Sequence, residues 1–185
     1  WSSDVCSSDL PEIAEEIAET VKPTWVGMDR DSWGLDHGTW SVLRHLYPRA
    51  DVPVVQLSIN MAQPASYHLN LGKGLRPLRE QGVLILGSGN IVHNLRKIRW
   101  EENAAPFDWA VEFDEWCRDR LVARDEKALT EDYAKTDAGR LSVPTTEHYL
   151  PLLYALGAAD EKDELRFTYE GIQNGSISMR TLVFT

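Results

Sequence analysis

Cysteine is scarce in this sequence. Only Cys6 and Cys117 occur among 185 residues. Two thiols are too few for the disulfide framework of a small secreted domain or for a metal site built from thiolates. A reducing compartment suits this composition best, and we expect a cytoplasmic protein.

Long apolar runs and an excess of positive charge are also missing. A membrane-spanning helix needs about 20 consecutive apolar residues, whereas the apolar stretches here, such as Val83 to Leu86, have the length of a strand. The chain carries 19 Lys and Arg against 29 Asp and Glu, a net charge of −10. Such a surface repels phosphate backbones and anionic lipids. We predict neither nucleic acid nor membrane as a partner, and the sequence carries no signal for the oligomeric state.

The first ten residues, WSSDVCSSDL, have neither an initiating Met nor the features of a signal peptide. They resemble sequencing-adapter sequence translated at the broken end of a reading frame. We therefore expect residues 1–10 to be a non-native leader and residues 11–185 to belong to one folded domain. The composition of 43% hydrophobic residues with seven Trp is that of a chain with a packed core.

The hydrophobic pattern alternates between helices and strands. Apolar residues at three- and four-residue spacing predict helices, and β-branched apolar runs predict buried strands. The predicted helices are 11–22, 39–47, 64–81, 109–122 and 147–156, with Thr39 and Thr145 or Thr146 as N-caps, and the predicted strands are 52–59, 83–86, 165–169 and 177–184. This order predicts an α/β fold with a mixed, largely parallel sheet flanked by helices and an antiparallel pair at the C-terminus.

Common catalytic templates are absent. The sequence has no His-Glu-x-x-His pair, no Gly-x-Ser-x-Gly elbow and no phosphate-binding loop. The turn at residues 87–89 (GSG) follows a predicted strand, but Val92 stands where the dinucleotide fingerprint needs its third glycine. Hydrolase and nicotinamide chemistry are therefore not indicated.

Five histidines remain as candidates for chemistry. His37 is predicted in a glycine-bearing loop, His93 just after a turn at a strand end, and His148 in the first turn of a helix. His45 is predicted inside a helix and His68 on the exposed part of another, without a role. Imidazoles on separate loops can gather around Fe(II) or Zn(II) in the folded chain. From spacing alone, histidines that only pack in the core or form hydrogen bonds are the stronger interpretation.

Longer motifs carry a family resemblance. They are WGLDHGTW at 33–40, VVQLS at 54–58, GSGNIVHNLR at 87–96 and PTTEHYLPLLY at 144–154. These segments closely resemble the DOPA-type class III extradiol aromatic ring-opening dioxygenases of the LigB-like superfamily. The resemblance runs in order from Pro11 to the end of the chain.

In that family histidines hold a metal ion. Two of the family's ligand motifs, Gly-His-Gly-Ser-Pro and Ser-Ala-His-Trp, do not occur here, while His93 and His148 match the remaining positions. His93 alternatively matches a catalytic acid/base beside the metal, and His37 matches a histidine that contacts substrate or oxygen. The resemblance therefore implies the C-terminal part of a single catalytic domain, truncated at its N-terminus and inactive alone.

The implied reaction is extradiol cleavage of a catechol such as DOPA, with O₂ as co-substrate and one Fe(II) or Zn(II) per chain. Trp33 and Tyr149 are predicted to contact the aromatic substrate, and Arg96 or Arg99 is a candidate for binding a substrate carboxylate. Two alternatives remain open at this point. One is a zinc-binding relative of the same fold that is not a dioxygenase, and the other is a non-catalytic α/β interaction module.

Overall fold

The computed structural model describes residues 11–28, 34–101 and 103–185. The helices are α1 (Pro11–Thr20), α2 (His37–Leu46), α3 (Ala65–Leu75), α4 (Asp108–Val122), α5 (Asp137–Ser142) and α6 (Leu150–Ala158), with 3-10 segments at Arg76–Gln81 and Leu95–Lys97 and a π-helical turn at Ala128–Asp132. The strands are β1 (Leu165–Tyr169), β2 (Ile172–Gln173), β3 (Ile177–Ser178) and β4 (Thr181–Phe184). The fold is mixed α/β. No helix of the described ranges is long and apolar enough to cross a membrane.

Helices α3 and α6 form the centre of the molecule. Helix α6 is apolar around its whole circumference, which is typical of a helix buried on all sides, and Leu150, Leu153 and Leu156 are all buried. A Cβ atom at Gly157 would lie 2.2 Å from the carbonyl oxygen of Leu69 in α3. The two helices therefore touch backbone to backbone, and a glycine is needed at their contact.

The C-terminal segment forms two antiparallel pairs. Strand β1 pairs with β4, with Leu165 opposite Phe184, and β2 pairs with β3, with Gln173 opposite Ile177. The predicted antiparallel pair is confirmed, but the strand predicted over 177–184 is divided in two. The division falls at Met179, whose N–H donates to the carbonyl of Gly171, and at Arg180, whose side chain is buried in an ion pair with Asp114.

The two segments predicted as strands, 52–59 and 83–86, are not strands in the described structure. Within the ranges that the structure describes, neither segment belongs to a hydrogen-bonded sheet. Their side chains do alternate, since Leu57, Ile59, Val83 and Ile85 pack against the cluster around Leu78. The largely parallel sheet is therefore not confirmed, because a strand needs a partner as well as an apolar face.

Helix starts differ from their predicted positions. Asp36, not Thr39, is the N-cap of α2, and its carboxylate accepts a hydrogen bond from the Thr39 N–H at 2.8 Å. Helix α6 begins at Leu150 rather than at Glu147, with Pro151 in its first turn, where the missing N–H of proline costs nothing. His148 consequently lies in the turn before α6 and His37 at the first position of α2.

Candidate functional site

Backbone hydrogen bonds hold His93 from two sides. Its own N–H donates to the carbonyl of Ser142 at 2.9 Å. Its neighbours pair with β3, since the Ser178 N–H donates to Val92 at 2.9 Å and the Asn94 N–H donates to Ser176 at 3.1 Å. His93 itself forms an antiparallel bridge with Ile177. The short β2–β3 hairpin thus sets the position of the His93 backbone.

The glycine-bearing turn holds His148. The carbonyl oxygen of His148 accepts a hydrogen bond from the Asn90 N–H at 2.8 Å. A Cβ atom at Gly89 would lie 2.2 Å from the same oxygen, so the approach requires glycine. The Asn90 amide also donates to the Ser178 carbonyl at 2.8 Å, which links this turn to the hairpin beside His93.

The rings of His93 and His148 stack on each other. Their centroids lie 3.5 Å apart and their planes differ by 17°. The two rings are therefore in van der Waals contact, although the two residues are far apart in the sequence. The hairpin and the glycine-bearing turn together bring about this meeting.

Electrostatics keep both imidazoles neutral. Burial lowers the pKa of His93, and the neighbouring His148 lowers it further. Burial also lowers the pKa of His148, while the carboxylate of Glu147 acts in the opposite direction. A neutral imidazole has one nitrogen lone pair free to bind a metal or accept a proton. Burial therefore favours this neutral form in both rings.

Glu147 is a neighbour of this pair that sequence reasoning missed. Its Oε1 accepts a hydrogen bond from the Thr145 hydroxyl at 2.7 Å, while Oε2 is buried and has no hydrogen-bond partner within the described ranges. Burial raises the pKa of Glu147, but the Thr145 hydroxyl and the nearby imidazoles of His148 and His93 leave it lower than usual. The signal that could have identified Glu147 is its position directly before a candidate histidine.

His37 approaches from the start of α2. The Ser88 hydroxyl donates to the carbonyl of Gly38 at 2.8 Å, which joins the beginning of α2 to the glycine-bearing turn. His37 is exposed, and it is close enough to His148 to lower the pKa of that ring. Three of the predicted histidines therefore lie near one another, two in contact and one close enough to affect the pKa of His148.

Comparison with known proteins identifies the family. The family model described as the catalytic LigB subunit of aromatic ring-opening dioxygenase matches residues 7–179. The chain belongs to the LigB family. Curated relatives named 4,5-DOPA dioxygenase extradiol are 43% identical over 171 residues in Escherichia coli K12, 37% over 154 in Portulaca grandiflora and 34% over 179 in Beta vulgaris.

The relatives are longer than this LigB chain. The matches cover 91%, 82% and 95% of the chain but 63%, 56% and 66% of the Escherichia coli, Portulaca and Beta proteins. The chain thus spans about two thirds or less of the curated relatives. A crystal structure of an uncharacterized Escherichia coli K12 protein has a TM-score of 0.88 and 40% identity, and the match covers 96% of this chain and 74% of that one.

Other predicted site residues lie elsewhere in this LigB chain. Tyr149 is 1% exposed, its hydroxyl donates to the Leu129 carbonyl at 2.8 Å, and its ring stacks on Tyr133. This placement in the core gives no support to the prediction that Tyr149 contacts substrate. Trp33 lies outside the described residues.

The two remaining histidines are apart from the stacked pair. His45 is exposed on α2, in the helix where it was predicted. The prediction that His68 is exposed is wrong. His68 is fully buried, with its Nδ1 2.9 Å from the Tyr154 hydroxyl, because its side of α3 faces α6.

The two arginine candidates for binding a substrate carboxylate also differ from each other. Arg99 donates to the Ala105 carbonyl and lies over the Phe107 ring, while Arg96 is exposed.

The donor set fits a metal ion in part. Imidazole nitrogens and a carboxylate are ligands that Fe(II) and Zn(II) both accept. His93 and His148 supply the nitrogens, and the unpartnered Glu147 oxygen is the nearby orphan acceptor. Within the described ranges, however, no group of three His, Cys, Asp or Glu is arranged to hold a metal. The described residues therefore bring two imidazoles and one carboxylate together without completing a metal site.

Proposed function

We propose that this chain carries the histidine pair of an extradiol dioxygenase that opens the ring of a catechol such as DOPA. The observation that supports this most is the stack of His93 on His148, 3.5 Å apart, in a chain of the LigB family. The names of the curated relatives support the catechol substrate. The reaction breaks one ring bond beside the two hydroxyls and adds both atoms of O₂ to the product, a muconic-semialdehyde-type acid.

The proposal includes one non-haem metal ion, held by His148 and by His93, with further ligands from outside the described residues. When bound, Fe(II) supplies the one-electron chemistry that allows triplet dioxygen to react with a singlet catechol, which Zn(II) cannot do. Neutral imidazole ligands leave the charge of the cation undiminished, so that a catechol loses its first proton readily.

The chain's own residues then handle protons and position the substrate. His93, if it is not a ligand, accepts the second catechol proton and later returns it to the leaving oxygen. His37, exposed at the start of α2, contacts substrate or oxygen from the open side. Glu147 lies close enough to both imidazoles for its charge to raise their pKa, which opposes the effect of burial. The roles of His93 and His37 are those that the family resemblance implies, and the burial that favours neutral rings and the closeness of the three histidines support them.

Residues 11–185 are, in this proposal, the C-terminal part of a single catalytic domain. Two facts support it: the chain spans 63% of the Escherichia coli relative, and its described residues do not complete a metal site. The chain alone is then expected to bind metal weakly and to show little or no turnover.

The experiment joins this chain to the part of the Escherichia coli relative that has no counterpart in it. The extended protein is loaded anaerobically with Fe(II), mixed with DOPA and air-saturated buffer, and followed by oxygen uptake and by the yellow product. We expect uptake by the extended protein, loss of it in His148→Ala, and normal uptake in His45→Ala, which changes an exposed histidine of α2. Zinc loading is expected to abolish uptake. An extended protein that binds iron yet consumes no oxygen with any catechol would falsify the proposal.

A further inference from the structure

Ser178 links the two segments that carry the stacked histidines. It is the last residue of β3 and is 1% exposed. Its N–H donates to the carbonyl of Val92, directly before His93, at 2.9 Å. Its carbonyl accepts from the Asn90 side chain at 2.8 Å, and the Asn90 N–H donates in turn to the carbonyl of His148. One buried residue therefore contacts both segments through its backbone.

The side chain of Ser178 fixes this residue to α4. Its hydroxyl donates to Asp114 Oδ1 at 2.5 Å and accepts from the Arg180 N–H at 3.2 Å. Asp114 lies in the middle of the 15-residue helix α4 and is 4% exposed, and its other oxygen accepts from the Arg180 guanidinium. Hydrogen bonds to a charged acceptor are stronger than those between neutral groups. The Asp114 carboxylate is therefore a firm attachment point for Ser178.

Strand β3 depends on such an attachment. It consists of Ile177 and Ser178 only, and its partner β2 is equally short. An isolated two-stranded hairpin is marginally stable at best in water. Because Ile177 forms the bridge to His93, a movement of the hairpin would also displace the His93 backbone. The bond to Asp114 connects the hairpin to the core, into which α4 packs through Phe113.

We infer that Ser178, held by Asp114, is a positioning residue for the pair of His93 and His148. This role rests on the proposed function, which requires the two imidazoles to keep one arrangement. Groups around a metal ligand commonly fix its orientation, and a displacement of about 1 Å can slow a reaction about a hundredfold. Ser178 acts through the backbone of the two segments and takes no part in the reaction itself.

The first test uses this chain without metal and compares Ser178→Ala with the matched control Tyr154→Phe, which also loses one buried hydrogen bond, at the α3–α6 contact. In Ser178→Ala the amides of His93 and Asn90 are expected to exchange with deuterium about tenfold faster or more, because their segments open locally. The Ala159 amide, which donates to carbonyls of α6, is expected to keep its rate. The nuclear Overhauser effect between the two stacked rings is expected to weaken. Tyr154→Phe is expected to change neither the His93 and Asn90 rates nor this effect.

The second test measures oxygen uptake with DOPA by the extended protein loaded with Fe(II). A misplaced histidine pair slows the reaction without changing how the catechol binds. Ser178→Ala is therefore expected to lower kcat by about tenfold or more and to change KM by less than about threefold. Tyr154→Phe is expected to leave both constants unchanged. If the wild-type extended protein consumes no oxygen, the proposed function fails, and the exchange measurement alone decides the role of Ser178.

Circular dichroism checks that the variants are folded. If Ser178→Ala does not fold, Ser178→Cys takes its place, because a thiol has nearly the same shape but is a weak donor. Three results overturn the inference. The His93 and Asn90 amides keep their wild-type exchange rates in the folded variant. Their rates rise only together with that of Ala159, which indicates opening of the whole fold. In the extended protein KM rises while kcat keeps its wild-type value.

Discussion

The ion pair between Asp114 and Arg180 is the interaction whose loss we expect to destabilise the fold most. The two side chains are 6% and 4% exposed, and Arg180 donates to Asp114 Oδ2 from Nη2 at 2.5 Å and from Nε at 3.1 Å. The Ser178 hydroxyl donates to the other carboxylate oxygen at 2.5 Å. Glu170 also accepts from Arg180. The ion pair connects α4 to the end of the β2–β3 hairpin, whose backbone pairs with the segment around His93.

Replacing Asp114 by Ala leaves the Arg180 guanidinium buried without its main partner. Breaking a buried pair in this way costs roughly 3–5 kcal/mol, whereas breaking an exposed pair costs about 1 kcal/mol or less. Asp137→Ala is the matched control, because Asp137 pairs with Arg140 at the surface. The free energy of unfolding of a whole domain is only about 5–15 kcal/mol. Asp114→Ala is therefore expected to remove a large share of this stability.

The assay is urea unfolding followed by tryptophan fluorescence, with the free energy of unfolding extrapolated to water. The double variant Asp114→Ala with Arg180→Ala is expected to be less destabilised than the sum of the two single variants, because it leaves no buried charge. The reasoning is refuted if Asp114→Ala costs no more than Asp137→Ala, or if the two single costs simply add.

Three further predictions concern single positions. Gly89→Ala places a Cβ atom 2.2 Å from the His148 carbonyl oxygen, so the turn must shift; a thermal melt unchanged from the wild type would contradict this. Tyr149→Phe removes the hydrogen bond to Leu129 and is expected to lower the free energy of unfolding by about 1–2 kcal/mol; in the extended protein it leaves KM for catechol unchanged, and a raised KM would restore Tyr149 as a substrate contact. Burial lowers the pKa of His68 in the folded state. As the pH falls, His68 is therefore protonated in the unfolded chain before it is protonated in the folded chain. Stability is therefore retained above about pH 6.5 and falls on acidification by up to about 1.4 kcal/mol per pH unit. His68→Gln is expected to reduce this slope in unfolding curves measured from pH 7 to pH 5, and an identical slope would count against it.

Local patterns predicted those elements whose stability depends on one apolar face. The helix predicted at 109–122 is observed as α4, and the strand predicted at 165–169 is observed as β1. The inward packing of Leu57, Ile59, Val83 and Ile85 at every second position was also predictable from the strand pattern. Their pairing was not, because a sheet depends on which strands are present beside it.

Contacts between distant segments explain the remaining errors. Periodicity placed His68 on a helix but did not show which side packs against α6, where Tyr154 meets it. Nothing in the spacing of Asp114 and Arg180 indicated that they pair, since each alone is typical of a solvated surface. The grouping of His93 with His148 came from the family resemblance, and hydrogen bonds to the β2–β3 hairpin and to Asn90 account for it physically.

The proposed metal site is tested most directly by the iron content of the extended protein after anaerobic loading and desalting. One Fe(II) per chain is predicted for the wild type and for His45→Ala, with loss of most of the iron in His148→Ala. Retention of a full equivalent of iron by folded His148→Ala would contradict the claim that the stacked histidines belong to the metal site.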